Sequence, residues 1–120
     1  MEIFRFDHGV GLPMRRFNST NATLSRIIQL EGEIHINCIY LEPGGHIGYH
    51  LAETRQLFLV VEGSGWVSAE TSDRKPILTG RAAFWQAGEG HEVGADNLMT
   101  AIVVEGSNLE PGKFMPKLEG

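Results

Sequence analysis

Two histidines, His46 and His50, precede the apolar segment 56–61 in a stretch that begins at Pro43. Imidazole is a common metal ligand, and near neutral pH it also acts as an acid, a base or a hydrogen-bonding group. After His50, the position most useful for a third ligand holds Gln56, a neutral amide in place of a carboxylate. The stretch is therefore compatible with a metal site, with a depleted metal site that now works as a polar pocket, or with ordinary core.

His46 and His50 have the same parity, as do Gly48 and Ala52, so in a regular strand all four point to one side. The two histidines would lie about 13 Å apart along such a strand. A metal bound by both would require a bend, which Gly45 and Gly48 would permit. The alternative for His46 is a polar position at the rim of the fold.

Composition indicates one globular domain. The chain has 120 residues, of which 42% are hydrophobic and 21% are charged. The net charge is −5, and the ten basic residues form no stripe, so we expect no nucleic-acid partner. The N-terminus carries charges where a signal peptide needs an apolar stretch, and the apolar runs are too short to cross a membrane. We therefore expect no membrane partner.

The single cysteine, Cys38, lies in an apolar segment, where we expect it to be a small buried residue. It cannot form an intramolecular disulfide, which favours a reducing, cytoplasmic location.

Short β-rich segments bounded by Gly, Pro, Asn or Asp recur along the chain, and no helical period extends over three turns. The predicted strands are 3–6, 24–30, 34–41, 46–50, 56–61, 66–70, 77–78, 82–85, 91–93 and 98–104. We expect 24–30 and 34–41 to form a hairpin, and the tail from Glu105 to be extended surface chain. The pattern predicts an all-β antiparallel sandwich or barrel with little or no helix.

The spacing of glycines and histidines resembles the first motif of the cupin family, G-x5-H-x-H-x3-E-x6-G. Its places hold Gly44, His50, Ala52, Gln56 and Gly63, at every required spacing. Ala52 replaces the second histidine, and Gln56 replaces the glutamate.

The second cupin motif, G-x5-P-x-G-x2-H-x3-N, is also matched in spacing. Its places hold Gly80, Gln86, Gly88, His91 and Ala95, with Gln86 replacing the proline and Ala95 the asparagine. The resemblance implies one jelly-roll barrel domain, or double-stranded β-helix, over 1–120, with its histidines at the mouth. The barrel core would be about 24–104, with an N-terminal strand and loop at 1–23 and the tail at 105–120.

The resemblance also implies a cofactor, because cupins hold a divalent metal with their motif histidines and glutamate. Here Zn, Ni, Fe or Mn would be bound by His50, Gln56 and His91, with His46 as a further candidate. Gln56 is a weaker donor than a carboxylate and Ala52 is none, so this ligand set is depleted.

A metal-free pocket would use the same part of the chain for hydrogen bonding. Its candidate ligand-binding residues are His46, His50, Gln56, Phe58 and His91. Further aromatic walls could come from Tyr40, Trp66, Phe84 and Trp85. Strand parity does not determine which of these four residues face inward. Glu53 and Glu92 are adjacent to motif positions, but parity turns them away from the histidines, so we expect solvated carboxylates.

Three functions remain open. The first is a small-molecule-binding protein, and the second is a metal-dependent dioxygenase or isomerase that uses His50 and His91 with Gln56 or His46. The third is a structural or regulatory module. We assign no catalytic residue, although His50 or His91 would be the base in acid–base catalysis. A homodimer is expected in each case, because 56–61 and 101–106 are apolar at consecutive positions and both of their faces need cover.

Overall fold

The structure of the protein is a computed structural model that describes residues 1–70 and 73–118. That part of the chain contains nine strands: β1 Glu2–Arg5, β2 Leu12–Pro13, β3 Thr23–Leu24, β4 His35–Leu41, β5 His46–Leu51, β6 Gln56–Ser68, β7 Arg74–Leu78, β8 Arg81–Trp85 and β9 Gly90–Glu105. Its helices are the short 3₁₀ turns His8–Val10, Arg16–Asn18 and Pro111–Lys113. The prediction of an all-β fold with little helix is confirmed.

Seven strands form one antiparallel sheet in the order β1-β8-β6-β9-β4, with β5 also on β9 and β7 also on β6. The two long strands β6 and β9 pair with each other and change partners along their length. The first part of β9 holds β5, and its last part holds β4. This exchange of partners brings strands from both sequence motifs to one end of the sheet.

Alternation along the long strands separates two apolar clusters. The inner cluster includes Phe58, Val67, Trp85, Val93 and Val103. The outer cluster includes Leu57, Leu59, Phe84 and Val104, packed beside residues from both ends of the chain. The first part of β6 and the last part of β9 are therefore covered on both faces within the chain.

The predicted hairpin of 24–30 with 34–41 is wrong. Residues 25–34 form no strand, and β4 pairs with β9 instead. Ile27, Ile28 and Leu30 pack against the outer cluster. Their side chains are apolar because this segment covers the sheet, and not because it pairs with a strand.

The separately predicted strands 56–61 and 66–70 belong largely to one strand, because β6 continues from Gln56 to Ser68. The pairing of β6 with β9 shifts in register between Val60 and Glu62, and again between Gly63 and Gly65. Gly63 has φ +82°, and a Cβ there would collide with the backbone of Leu98 on β9. The glycine therefore allows a close approach of strands rather than a chain reversal.

The tail is not the extended surface chain that was predicted. Leu109 and Met115 are buried in the outer cluster. The Arg55 guanidinium donates to the carbonyl of Leu109 over 3.0 Å. The Leu118 amide donates to the carbonyl of Ile3 over 2.7 Å. The tail thus closes the outer wall.

Cys38 is exposed, so the prediction that it is buried is wrong. It lies on the outer face of β4 between Ile36 and Tyr40, which are also exposed. Parity places these residues opposite the half-buried Ile39 and Leu41, which pack on the inner cluster. Within 1–70 and 73–118, no helix is both long and apolar enough to cross a membrane.

Candidate functional site

The two motif histidines lie side by side. His50 of β5 pairs in register with His91 of β9, and their ring centroids are 4.4 Å apart at 56°. His91 is buried, whereas His50 is exposed at the mouth. The structure therefore brings together two residues that are far apart in sequence.

A β-bulge determines which histidine of β5 joins this pair. Ile47 pairs with Val93, but His50 pairs with His91, so two residues of β5 stand opposite one residue of β9. Ile47 packs on the inner cluster beside Val93, and His50 takes the same inner side. The expectation that His46 and His50 point to one side is wrong, because the extra residue reverses the alternation between them.

His46 lies on the outer face with its own partners. Its Nε2 is 2.7 Å from a carboxylate oxygen of Glu92, and its ring centroid is 5.7 Å from that of Trp66. The Arg74 guanidinium carbon lies 3.8 Å from the centre of the Trp66 ring. His46 thus does not join His50. Glu92 faces away from His91 as parity predicts, but it pairs with His46 rather than only with solvent.

His91 is held between Trp85 and His50. It stacks on Trp85 with centroids 4.3 Å apart at 24°, and its Nδ1 lies 3.2 Å from the carbonyl oxygen of Glu89. A carbonyl only accepts, so Nδ1 donates, and Nε2 of the neutral ring is an acceptor. That Nε2 is buried and has no hydrogen-bond partner among the described residues.

Burial is the largest influence on the pKa of His91, and it lowers that pKa. The hydrogen bond to the Glu89 carbonyl opposes this effect, and His50 adds a smaller lowering. The neutral imidazole is therefore favoured, with an unsatisfied acceptor in the interior.

His50 presents a second acceptor by the same reasoning. Its Nδ1 is 2.7 Å from the carbonyl oxygen of Gly48, so Nδ1 donates and the neutral Nε2 accepts. The bulge thus fixes both the face and the tautomer of His50.

Gln56 is at the same end of the barrel. It is half-buried at the start of β6 and pairs in register with Trp85 on one side and Glu105 on the other. Beside it opens a cleft of about 300 Å³. The cleft is lined by His50, Leu51, Glu53, Gln56 and Glu105.

Glu105 is a candidate site residue that the sequence analysis does not identify, because the predicted tail begins at this residue. Its parity with Val103 of the inner cluster was an available signal. Glu53 is exposed, as expected, but it lines the cleft beside His50 and is not directed elsewhere.

The candidate aromatic walls separate between the two faces. Phe58 is buried in the inner cluster, 6.2 Å from Trp85 in an edge contact, so it is core beneath the site. Phe84 belongs to the outer cluster. Tyr40 is exposed on the outer face, and Trp66 contacts His46 there. Trp85 is the aromatic residue that contacts the histidine pair.

The donors at the mouth do not fit the metal set that the sequence resemblance implied. Two imidazole Nε2 atoms are suitable ligands. However, the described residues contain no group of three His, Cys, Asp or Glu side chains able to hold a metal ion. Gln56 would add only a neutral amide, and His46 lies on the other face. Glu53 and Glu105 line the neighbouring cleft, but among the described residues neither forms a metal-binding group of three with His50 and His91, so a tight metal site lacks its anionic ligand.

Solved structures of cupins resemble the chain. A cupin superfamily protein from Desulfitobacterium hafniense DCB-2 has a TM-score of 0.58 and 11% identity, covering 72% of this chain and 79% of its own. An RmlC-like cupin from Shewanella frigidimarina NCIMB 400 has a TM-score of 0.57 and 20% identity, covering 68% of each chain. A cupin-like protein from Thermotoga maritima MSB8 has a TM-score of 0.59 and 17% identity, covering 62% of this chain and 58% of its own.

The sequence matches no protein-family model and no curated protein. The structural likeness confirms the jelly-roll β-barrel of the cupin fold.

Proposed function

We propose that this cupin-fold barrel is a small-molecule-binding protein whose ligand enters the mouth at His50, Gln56 and His91. The observation that carries the proposal is the buried Nε2 of His91, which lacks a partner among the described residues. A buried acceptor without a hydrogen bond costs about 1–3 kcal/mol. A ligand that donates to it would recover that loss.

The surroundings of the pair favour binding over acid–base catalysis. The hydrogen bonds found for the two rings run from Nδ1 to the carbonyls of Gly48 and Glu89, and not to carboxylates. These carbonyls fix the tautomers and leave both Nε2 atoms as acceptors. A catalytic histidine is usually oriented by a group that stabilises its charged form, whereas burial here lowers the pKa of His91.

A fragment screen followed by NMR tests the proposal. A ligand of the mouth is expected to shift the imidazole resonances of His50 and His91, and His50→Ala and His91→Leu should each abolish its binding. His8→Ala is the control, because His8 bonds to Thr23 away from the mouth. Binding that survives both mouth variants would place the ligand site elsewhere.

A metal-dependent enzyme, a dioxygenase or isomerase, is the second candidate. The two neighbouring Nε2 acceptors favour it, and Gln56 would be the third ligand. Elemental analysis after expression in media with controlled metals separates the candidates. Stoichiometric Zn, Fe, Mn or Ni that is lost from the His50→Ala/His91→Ala double variant would support this candidate and oppose a metal-free pocket.

We also propose that the protein is a cytoplasmic homodimer. The outer faces of β6 and β9 are largely covered by the chain's own ends, so the support comes instead from β4, where Ile36 and Tyr40 are exposed. A neighbouring apolar groove of about 660 Å³ includes Ile102. The exposed thiol of Cys38 on this face fits a reducing compartment. Light scattering of the protein and of Tyr40→Glu tests the dimer, which the variant should dissociate.

A further inference from the structure

We infer that the ligand of the mouth is a protonated primary amine, an inference that rests on the proposed binding function. The cleft beside the histidine pair is rich in acceptors and in negative charge. These two properties come from different residues and lead to the same class of ligand.

The negative charge comes from Glu53 and Glu105, which both line the cleft. Neither forms an ion pair within the described part of the chain, and the described lining residues include no Lys or Arg. His35 is the register partner of Glu105 on β4, but its Nε2 lies 3.2 Å from Glu33. Glu105 is half-buried, so its charge is less screened than a fully exposed one.

The acceptors come from the two imidazoles. His50 lines the cleft, and the ring of His91 contacts that of His50 with centroids 4.4 Å apart, with each Nδ1 donating to a backbone carbonyl. In the neutral rings both Nε2 atoms offer lone pairs. His91 is only 1% exposed, and its Nε2 has no hydrogen-bond partner among the described residues. Among the side chains that line the cleft, the amide of Gln56 also offers N–H donors.

An ammonium group satisfies both properties at once. It carries three N–H donors and one positive charge on a compact centre. A carboxylate ligand would meet Glu53 and Glu105 with like charge, and an alcohol would leave both carboxylates uncompensated. The cleft volume of about 300 Å³ suits a small molecule, and Leu51 supplies an apolar wall for its carbon skeleton.

Three probes of similar shape test the inference: benzylamine, benzyl alcohol and benzoate. Calorimetry and NMR are run on the full chain after chelator treatment and dialysis. Benzylamine is expected to bind saturably and to shift the resonances of His50 and His91, and benzoate is not. Glu105→Gln should weaken benzylamine binding about tenfold, because a charge-assisted hydrogen bond becomes a neutral one. Glu62→Gln is the matched control, since it makes the same charge change on an exposed carboxylate that bonds to Thr100.

Each alternative outcome overturns the inference. It fails if benzylamine does not bind the folded protein, if benzoate binds as tightly, or if Glu105→Gln binds benzylamine like the parent. Benzylamine binding that requires added Zn²⁺ also overturns it, because the metal would then hold the amine. Benzoate or alcohol binding that is lost in His50→Ala would reject the amine and leave the proposed binding function standing. Amine binding that His50→Ala and His91→Leu do not affect would reject both.

Discussion

The two faces of the β5–β9 ladder carry the same residue types in opposite circumstances. On the outer face, His46 has a carboxylate partner, and Trp66 stacks with Arg74. On the inner face, His91 stacks on Trp85 and keeps an acceptor with no partner among the described residues. The outer group is satisfied by the chain itself, whereas the inner one is left for something else to complete. Unmet hydrogen bonding, rather than residue type, distinguishes the side that we propose binds a ligand.

The largest expected difference between the faces is at the tryptophans. Trp85 is fully buried and donates to the Ser68 carbonyl, so Trp85→Ala should lower the free energy of unfolding by about 3–5 kcal/mol. Trp66→Ala removes a partly exposed ring and should cost about 1–2 kcal/mol. Urea unfolding monitored by circular dichroism measures both. Equal losses would contradict the division between the faces.

The histidines should respond with opposite signs. His91→Leu removes a buried unsatisfied acceptor and is expected to raise the free energy of unfolding by about 1 kcal/mol. The Glu89 carbonyl keeps the Ala52 amide as a donor, so it is not left unpaired. His46→Leu loses its bond to Glu92 and should lower stability by about 1 kcal/mol. A loss above about 2 kcal/mol in His91→Leu would show that the inner ring is structural.

The pH dependence of stability should originate on the inner face. The pKa of His91 is lowered by burial, so between the usual histidine pKa and the lower folded value the unfolded chain binds more protons. Stability should therefore fall as pH decreases below about 6.5, by up to about 1.4 kcal/mol per pH unit, and level off below the folded pKa. His50 also disfavours the protonated form of His91 and so lowers its pKa, whereas Glu89 favours that form and raises the pKa.

The measurement is urea unfolding of metal-free protein between mildly alkaline and mildly acidic pH. In His91→Leu this contribution to the slope should disappear. A variant with the same slope as the parent would assign the effect to another group.

The smallest effect is expected from the outer ion pair. Glu92→Gln keeps a hydrogen-bonding group beside His46 and should cost less than about 1 kcal/mol, because the pair is partly exposed. The cost should shrink further at high salt. Thermal unfolding at two salt concentrations measures it, and a large salt-independent loss would mean that the outer group also supports the barrel.

Residue spacing predicted the parts of this molecule that depend on local backbone needs. The motif glycines Gly44, Gly63, Gly80 and Gly88 all have positive φ, which glycine adopts without strain. These glycines frame His50 and His91, and the resemblance of their spacing to the cupin motifs implied which two histidines meet. The recurrence of short β-rich segments without a helical period likewise predicted an all-β fold.

Other features could not be predicted, because they depend on register. One extra residue on β5 reversed the facing of His46, and period-two reasoning contains no signal for a bulge. Glu105 has the parity of Val103, but its place beside Gln56 depends on the register between β6 and β9. The segment 25–34 covers the outer cluster without joining a strand, and the tail bonds to β1 through Pro116 and Leu118. Composition alone distinguishes neither arrangement from a strand or from surface chain.

The contacts between the tail and β1 also have a consequence for the rate of folding. Leu118 bonds to Ile3, and Arg5 bonds to the carbonyl of Pro116, so these contacts span more than one hundred residues. Such distant pairings slow folding, because loop closure must precede any gain from the contact. During synthesis the outer wall can close only after residues 109–118 have emerged from the ribosome. Until then Leu57 and Phe84 lack the cover of Leu109 and Met115, and exposed apolar surface of this kind favours aggregation.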